Sequence, residues 1–177
     1  MWICEGSKID WTAIAAILAL VIWVVDNIRR YKERAATCRL LSQIMTTPVG
    51  IAQLEIAKFR VAVVPPSGDK TNILDLIDKP AARKAFAARA LEVKLELPTQ
   101  FLEKADLFGE RTSNRLAFAL SQTSRLHSVW KMLGELPSDS DPQEVNDHMQ
   151  LALEQIKETE KAIGEAFNAV LASGKST

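Results

Sequence analysis

The chain has 177 residues, of which 47% are hydrophobic and 25% charged, so it can form one domain with a packed core and is too apolar to be disordered throughout. Its formal net charge is zero, which argues against a protein that coats nucleic acid. The charge is nevertheless segregated, because residues 29–60 carry +5, residues 111–137 carry +3 and residues 138–177 carry −5. The two cysteines, Cys4 and Cys38, are too few for a disulfide framework or for a zinc site with four cysteine ligands.

The first element is an apolar run, Trp11–Val25, in which Thr12 is the sole polar residue. From Ile9 to Ile28 a helix would be about 30 Å long, which matches the hydrocarbon thickness of a bilayer. We therefore predict a single transmembrane helix. A buried core helix is an alternative that fits poorly with Asp10 and Asp26 at the two ends. A cleaved export signal is another, but the basic start and the small-residue cleavage pattern are missing.

Basic residues predict the orientation of this helix. Only Lys8 precedes the run, whereas four basic residues, which we call the basic collar, follow it closely. The collar consists of Arg29, Arg30, Lys32 and Arg34. Because the basic flank of a span stays in the cytoplasm, we predict an inner-membrane protein with its N-terminus outside and its C-terminus in the cytoplasm. Attraction to anionic lipid is a second role of such a collar.

The rest of the chain predicts an all-α fold in three regions. Residues 1–28 form the N-terminal tail and transmembrane helix, residues 29–47 extend that helix as far as Pro48, and residues 48–177 form a cytoplasmic helical domain. The helices predicted in that domain are Ile51–Val64, a short one at Thr71–Asp78 capped by Thr71 or Asn72, Ala81–Leu97, Thr99–Phe108, Arg111–Leu136 and Pro142–Ala172. The last two carry apolar stripes at spacings of three and four residues.

One face of the apolar run has small side chains that suit close packing of helices in lipid. This small-residue seam consists of Thr12, Ala15, Ala16, Ala19 and Ile22, and it ends at Asp26. In a homo-oligomer the Asp26 carboxylates would form an acidic ring, which favours cations if the helices enclose a pore. The alternative is that Asp26 pairs with Arg29 or Arg30 one turn further on.

A second candidate site lies on the helix predicted at Arg111–Leu136. The candidate anionic-ligand face consists of Arg111, Arg115, Gln122 and Arg125, which lie along one side of that helix. Arginines with amide and hydroxyl donors suit a nucleotide or a short nucleic acid. The alternative is that this face packs on the acidic helix at Pro142–Ala172. The two histidines, His127 and His148, have no motif around them that predicts an enzyme, a metal site or a cofactor.

The arrangement at the N-terminus resembles the one-span membrane effectors of bacterial anti-phage defence. Trp11–Val25, Asp26 and Arg29–Arg34 carry the likeness, which extends to ancillary membrane proteins of type III CRISPR systems and to the channel-forming partner of Hailong-type systems. The resemblance implies a homo-oligomer that depolarises the membrane when a cytoplasmic partner or an anionic ligand triggers it. The competing hypothesis is a membrane-anchored helical scaffold that recruits a cytoplasmic protein and forms no pore.

Overall fold

The computed structural model describes residues 11–175, with nothing described for the side chain of residue 13. Some of the predictions concern residues outside this range, namely Cys4, Lys8, Ile9 and Asp10. The described chain is all-α and contains no strand, as predicted. Its helices are α1 (Trp11–Val63), α2 (Thr71–Asp78), α3 (Pro80–Ala90), α4 (Thr99–Glu103), α5 (Glu110–Glu135) and α6 (Pro142–Lys175), with a 3₁₀ turn at Ala105–Leu107.

Helix α1 continues through Pro48, so the prediction that it ends there is wrong. A proline inside a helix removes one backbone hydrogen bond and crowds the preceding turn. The residues on either side of Pro48 offset this loss of stability, because Met45, Val49 and Ala52 are fully buried in the core. The stabilisation from burying this face of α1 is larger than the tendency of Pro48 to end the helix.

The chain divides into two compact units, Met1–Thr37 and Cys38–Thr177. The boundary falls inside the predicted extension, residues 29–47. Within residues 11–175, no helix combines the length and the apolar character that are needed to cross a membrane. The predicted transmembrane helix therefore has no support from this structure.

In the second unit, α6 packs antiparallel to the C-terminal half of α1. Gly50 lies against the ring of Phe167, and Arg60 forms an ion pair of 3.0 Å with Glu160. Helix α5 is also antiparallel to α6, since Thr112 contacts Ser173 near one end and Gln122 contacts Gln155 nearer the other. The three long helices thus form the body of this unit.

The core between these helices centres on Trp130 of α5, which is fully buried. Its ring lies 5.0 Å from that of Phe59 in an edge-to-face arrangement and 6.4 Å from that of Phe86. The residues of the apolar stripes predicted for α5 and α6 are buried, except that Phe167 of α6 is partly buried and packs against the core from its edge. The spacing of three and four residues thus agrees with the buried faces of both helices.

Helix α3 ends at Ala90, seven residues before the predicted end at Leu97. The chain beyond it alternates, because Val93 and Leu95 are buried while Lys94 and Glu96 are exposed. Alternation with a period of two belongs to an extended backbone. This segment stays extended without pairing into a sheet in the described chain.

The start of α2 also differs from the prediction that Thr71 or Asn72 caps it. Thr71 is the first helical residue, and its hydroxyl and backbone N–H both donate to the Asp69 carboxylate, at 2.6 and 2.9 Å. These two hydrogen bonds, that of the hydroxyl first, hold the pKa of Asp69 below its ordinary value. Asn72 instead donates to the Ala62 carbonyl at the end of α1.

A buried arginine joins α3 to the ends of two other helices. The Arg83 side chain is 2% exposed, and its guanidinium donates to the Ile77 carbonyl near the end of α2 and to the Pro137 carbonyl just beyond α5, at 3.3 and 3.1 Å. The C-terminal ends of helices carry partial negative charge, so they stabilise a buried cation there. No carboxylate pairs with Arg83 among the described residues.

Candidate functional site

The apolar segment Trp11–Val25 of α1 is exposed around its whole described circumference. Ile17 is 62% exposed, Ile22 68% and Trp23 66%, and these three side chains point in different directions at about 100° per residue. Soluble proteins rarely expose a continuous apolar surface of this kind unless something else covers it. The segment is therefore a candidate surface for lipid or for another protein chain.

The small-residue seam forms a real face of this segment. Thr12, Ala15, Ala16 and Ala19 fall within about 100° of the circumference, and bulky side chains occupy most of the remainder. Trp23 enters the same sector one turn after Ala19, so the small side chains are continuous only from Thr12 to Ala19. All four are exposed, as is Ile22. A helix from another copy could approach closely on this face between Thr12 and Ala19.

Asp26, at the end of the seam, forms an ion pair with Arg30 at 2.8 Å. The Asp26 side chain is 52% exposed in this pair, so the carboxylate remains accessible. This arrangement corresponds to the alternative in which Asp26 pairs with an arginine one turn further on.

The basic collar is only partly neutralised within the chain. Arg29 donates to Glu33 at 2.9 Å, which is the main reason that its pKa is raised, and Arg30 is held by Asp26. Lys32 and Arg34 have no ion-pair partner among the described residues. The collar thus keeps exposed positive charge, which suits anionic lipid headgroups.

Sequence reasoning missed a second apolar surface, on the part of α1 that belongs to the second unit. Five large side chains there are between 42% and 58% exposed, on the side facing away from the core. This α1 stripe consists of Leu40, Ile44, Ile51, Leu54 and Val61. With Thr47 and Lys58, which are also exposed, its positions recur alternately every four and three residues. That repeat is the one by which helices of separate chains pack as a coiled coil.

The stripe could have been found from the sequence, because its spacing is visible without coordinates. It was overlooked because α1 was predicted to end at Pro48, which divides the repeat into two pieces too short to recognise.

The candidate anionic-ligand face divides into different environments in the structure. Arg115 forms an ion pair with Glu165, and Arg125 lies 3.9 Å from Glu158, both across the α5–α6 contact. Gln122 is buried, with its side-chain oxygen accepting a 2.7 Å hydrogen bond from Gln155. These contacts correspond to the alternative in which this face packs on the acidic helix.

Arg111 is the exception, and it opens onto a groove. This α5–α6 groove, of about 600 Å³, lies where the start of α5 meets the end of α6. Arg111 is exposed and has no hydrogen-bond or ion-pair partner among the described residues. The residues that line the groove are Arg111, Thr112, Arg115, Glu165, Asn168, Ala169, Ala172 and Ser173.

Both histidines make structural contacts with backbone carbonyls. His127 Nε2 donates to the Val93 carbonyl at 2.8 Å and holds the extended segment after α3 against α5. His148 Nδ1 contacts the carbonyl of Glu144 one turn earlier in its own helix. Among residues 11–175 no cluster of histidine, cysteine or carboxylate side chains has the grouping of a metal site.

Comparison with protein-family models, with curated proteins and with solved structures finds no match to this chain. The resemblance to one-span defence effectors therefore stays a prediction. The surfaces of the described chain that could bind a partner are the two apolar surfaces of α1 and the α5–α6 groove.

Proposed function

We propose that this protein is a self-associating membrane effector, in which the apolar segment of α1 enters the membrane and the helical second unit responds to a cytoplasmic partner or ligand. The single observation that carries the proposal is the apolar surface of Trp11–Val25, which is exposed around its described circumference. The basic collar directly behind it supports the orientation, with the N-terminus outside and the second unit in the cytoplasm.

In this proposal the helices enter the membrane as a bundle of copies. Thr12 and Asp26 lie on the small-residue seam, and they would then face protein or water instead of lipid. The bulky side chains on the rest of the circumference would face the lipid. When the bundle opens, ions pass along the seam and the membrane is depolarised.

The α1 stripe favours association of copies in the second unit as well. Its alternating repeat of four and three residues is self-complementary, so a second copy in the parallel direction can pack on it along three heptads. A parallel arrangement is also what the bundle in the membrane requires, since all copies enter it in the same orientation.

The cysteines allow a direct test of the membrane arrangement. The variant Cys38→Ser keeps only Cys4, and Cys4→Ser keeps only Cys38. In intact bacterial spheroplasts, a membrane-impermeant maleimide is expected to label Cys4 but not Cys38. After lysis, Cys38 is expected to react as well, because it is partly exposed.

Labelling of Cys38 in intact spheroplasts would contradict the proposed orientation. Recovery of the protein in the supernatant after carbonate extraction would contradict membrane insertion altogether. If the labelling and the carbonate extraction both agree with insertion but the purified protein is a monomer in mild detergent, the membrane-anchored scaffold explains the protein better.

A further inference from the structure

We infer that the α5–α6 groove binds the diphosphate group of a small molecule. In the structure Glu165 pairs with Arg115, where one phosphate of that group would bind. The inference deepens the proposed function, since it names the chemistry of the ligand to which the second unit responds. The geometry that supports it is the position of Arg111 and Arg115 on consecutive turns of α5, both on the wall of one groove.

The positive charge of the groove exceeds what the chain itself neutralises. Arg111 has no partner among the described residues, and the pair of Arg115 with Glu165 leaves 41% of the arginine side chain exposed. Arg111 lies in the first turn of α5, where the helix dipole adds partial positive charge. Gly109 provides no side-chain cap for this end of the helix.

The spacing of the two arginines matches two linked phosphates better than one. Side chains four residues apart on a helix have Cβ atoms about 5–6 Å apart, so each guanidinium can take one phosphate of a diphosphate. The amide of Asn168 adds a donor beside them. A groove of about 600 Å³ is in the range of small-molecule sites and leaves room for more than the phosphates.

The residues of the groove disfavour recognition of a nucleic-acid strand. None of them is aromatic, so the groove offers no surface on which successive bases could stack. The ligand is therefore held through its phosphates, and the remainder of the molecule contributes less to recognition.

Glu165 is the group that a ligand must displace. The Glu165 side chain is 33% exposed in the pair with Arg115, so water already competes for the carboxylate and the pair is easily exchanged. A diphosphate carries more negative charge than one carboxylate and can bond to both arginines at once. The exchange would release Glu165 from Arg115. Ligand binding would thereby remove one ion pair that joins the C-terminal third of α6 to α5.

The test is isothermal titration of the full chain in mild detergent with inorganic pyrophosphate, and separately with ADP. Glu165→Gln is expected to tighten the binding of both about fivefold, because Arg115 no longer has a competing partner. Arg115→Gln is expected to weaken binding by about tenfold or more, since it removes a charge-assisted contact. Arg111→Gln is expected to weaken it similarly.

The second Arg–Glu pair between the same helices provides matched controls. Glu158→Gln and Arg125→Gln change the net charge in the same way but lie outside the groove, so their affinities are expected to stay within about twofold of that of the native protein. Absence of binding by both the native protein and Glu165→Gln would overturn the inference. Equal effects of Glu158→Gln and Glu165→Gln would overturn it too, since they would show attraction by overall charge.

The titration needs no membrane and no pore, so its failure is distinguishable from failure of the proposed function. A protein that inserts but does not bind pyrophosphate refutes only the inference. A protein that binds pyrophosphate with this pattern but does not insert refutes only the membrane proposal. Binding of ADP that is insensitive to Arg115→Gln would place the nucleotide elsewhere and contradict the inference.

Discussion

Helices α3 and α5 of the second unit approach each other closely at Gly134 of α5. A Cβ built on this residue would lie 2.7 Å from the Cβ of Ala87 in α3, which is closer than two carbon atoms can pack. The Arg83 carbonyl lies 3.5 Å from the same position. Glycine at 134 therefore lets α3 and α5 come close enough for Arg83 to reach the end of α5.

We expect Gly134→Ala to lower the free energy of unfolding by about 1–3 kcal/mol, because the backbones of α3 and α5 must move apart. Gly164→Ala is the matched control, since the nearest atom to its added Cβ is Gln53 Nε2 at 4.0 Å. That control is expected to be neutral or to stabilise by up to about 1 kcal/mol through helix propensity. The measurement is urea denaturation of the full chain in mild detergent, followed by circular dichroism. Equal stability of Gly134→Ala and the native protein would contradict this packing.

At the residue scale, the sequence predicts which apolar side chains are buried better than it predicts the contacts of polar side chains. The stripes of α5 and α6 follow from spacing alone, because apolar side chains three and four residues apart share a helix face. Gln122 shares that spacing but was assigned to the ligand face, as its chemistry suggested exposure. Its burial depends on Gln155, which lies on another helix and satisfies its hydrogen bond. Such pairing cannot be read from one helix by itself.

At the scale of elements, the sequence predicts where most helices begin but predicts where they end less well. A predicted helix end can be wrong in two ways, and Pro48 and the segment after Ala90 are examples of each. Tertiary burial carries α1 through a residue that would end an isolated helix. In contrast, the alternating burial of Val93 and Leu95 ends α3 early, although no glycine or proline is present there.

The small-residue seam of α1 carries a prediction at this scale. Ala19→Leu is expected to weaken the proposed self-association by about tenfold, because a bulky side chain would keep the helices apart on the face where we propose that they pack. Val24→Leu is the matched control, since it also enlarges an apolar side chain but lies about 140° away around the helix. Light scattering after size-exclusion chromatography in mild detergent measures the association. If Val24→Leu dissociates the copies as strongly as Ala19→Leu, the seam is not the contact face.

At the scale of the whole molecule, the proposed activity depends on the native apolar segment. Bacteria that express the full chain are expected to lose membrane potential, as measured with a voltage-sensitive dye. A chain in which an unrelated span replaces Ile9–Ile28 is expected to leave the potential intact, because the seam and Asp26 are then absent. Asp26→Asn is expected to reduce the depolarisation, since it removes the acidic charge that would attract cations.

Depolarisation by the chain with the unrelated span would contradict a specific role for the native segment. If neither chain depolarises, but both retain the same cytoplasmic partner, the scaffold hypothesis explains the protein better than the effector hypothesis.

The pairing of α1 with α6 has a consequence for synthesis of the protein. The core face of α1 leaves the ribosome early, but Phe167 and Glu160, which pack on it, are made about 100 residues later. At about 5–20 residues per second this interval lasts about 5–20 seconds. During that time the part of α1 around Gly50 lacks the helix that lies against it in the folded protein. A chain interrupted before Pro142 would still contain Trp130 of α5 to pack on Phe59, but it would leave the part of α1 around Gly50 uncovered, which favours aggregation.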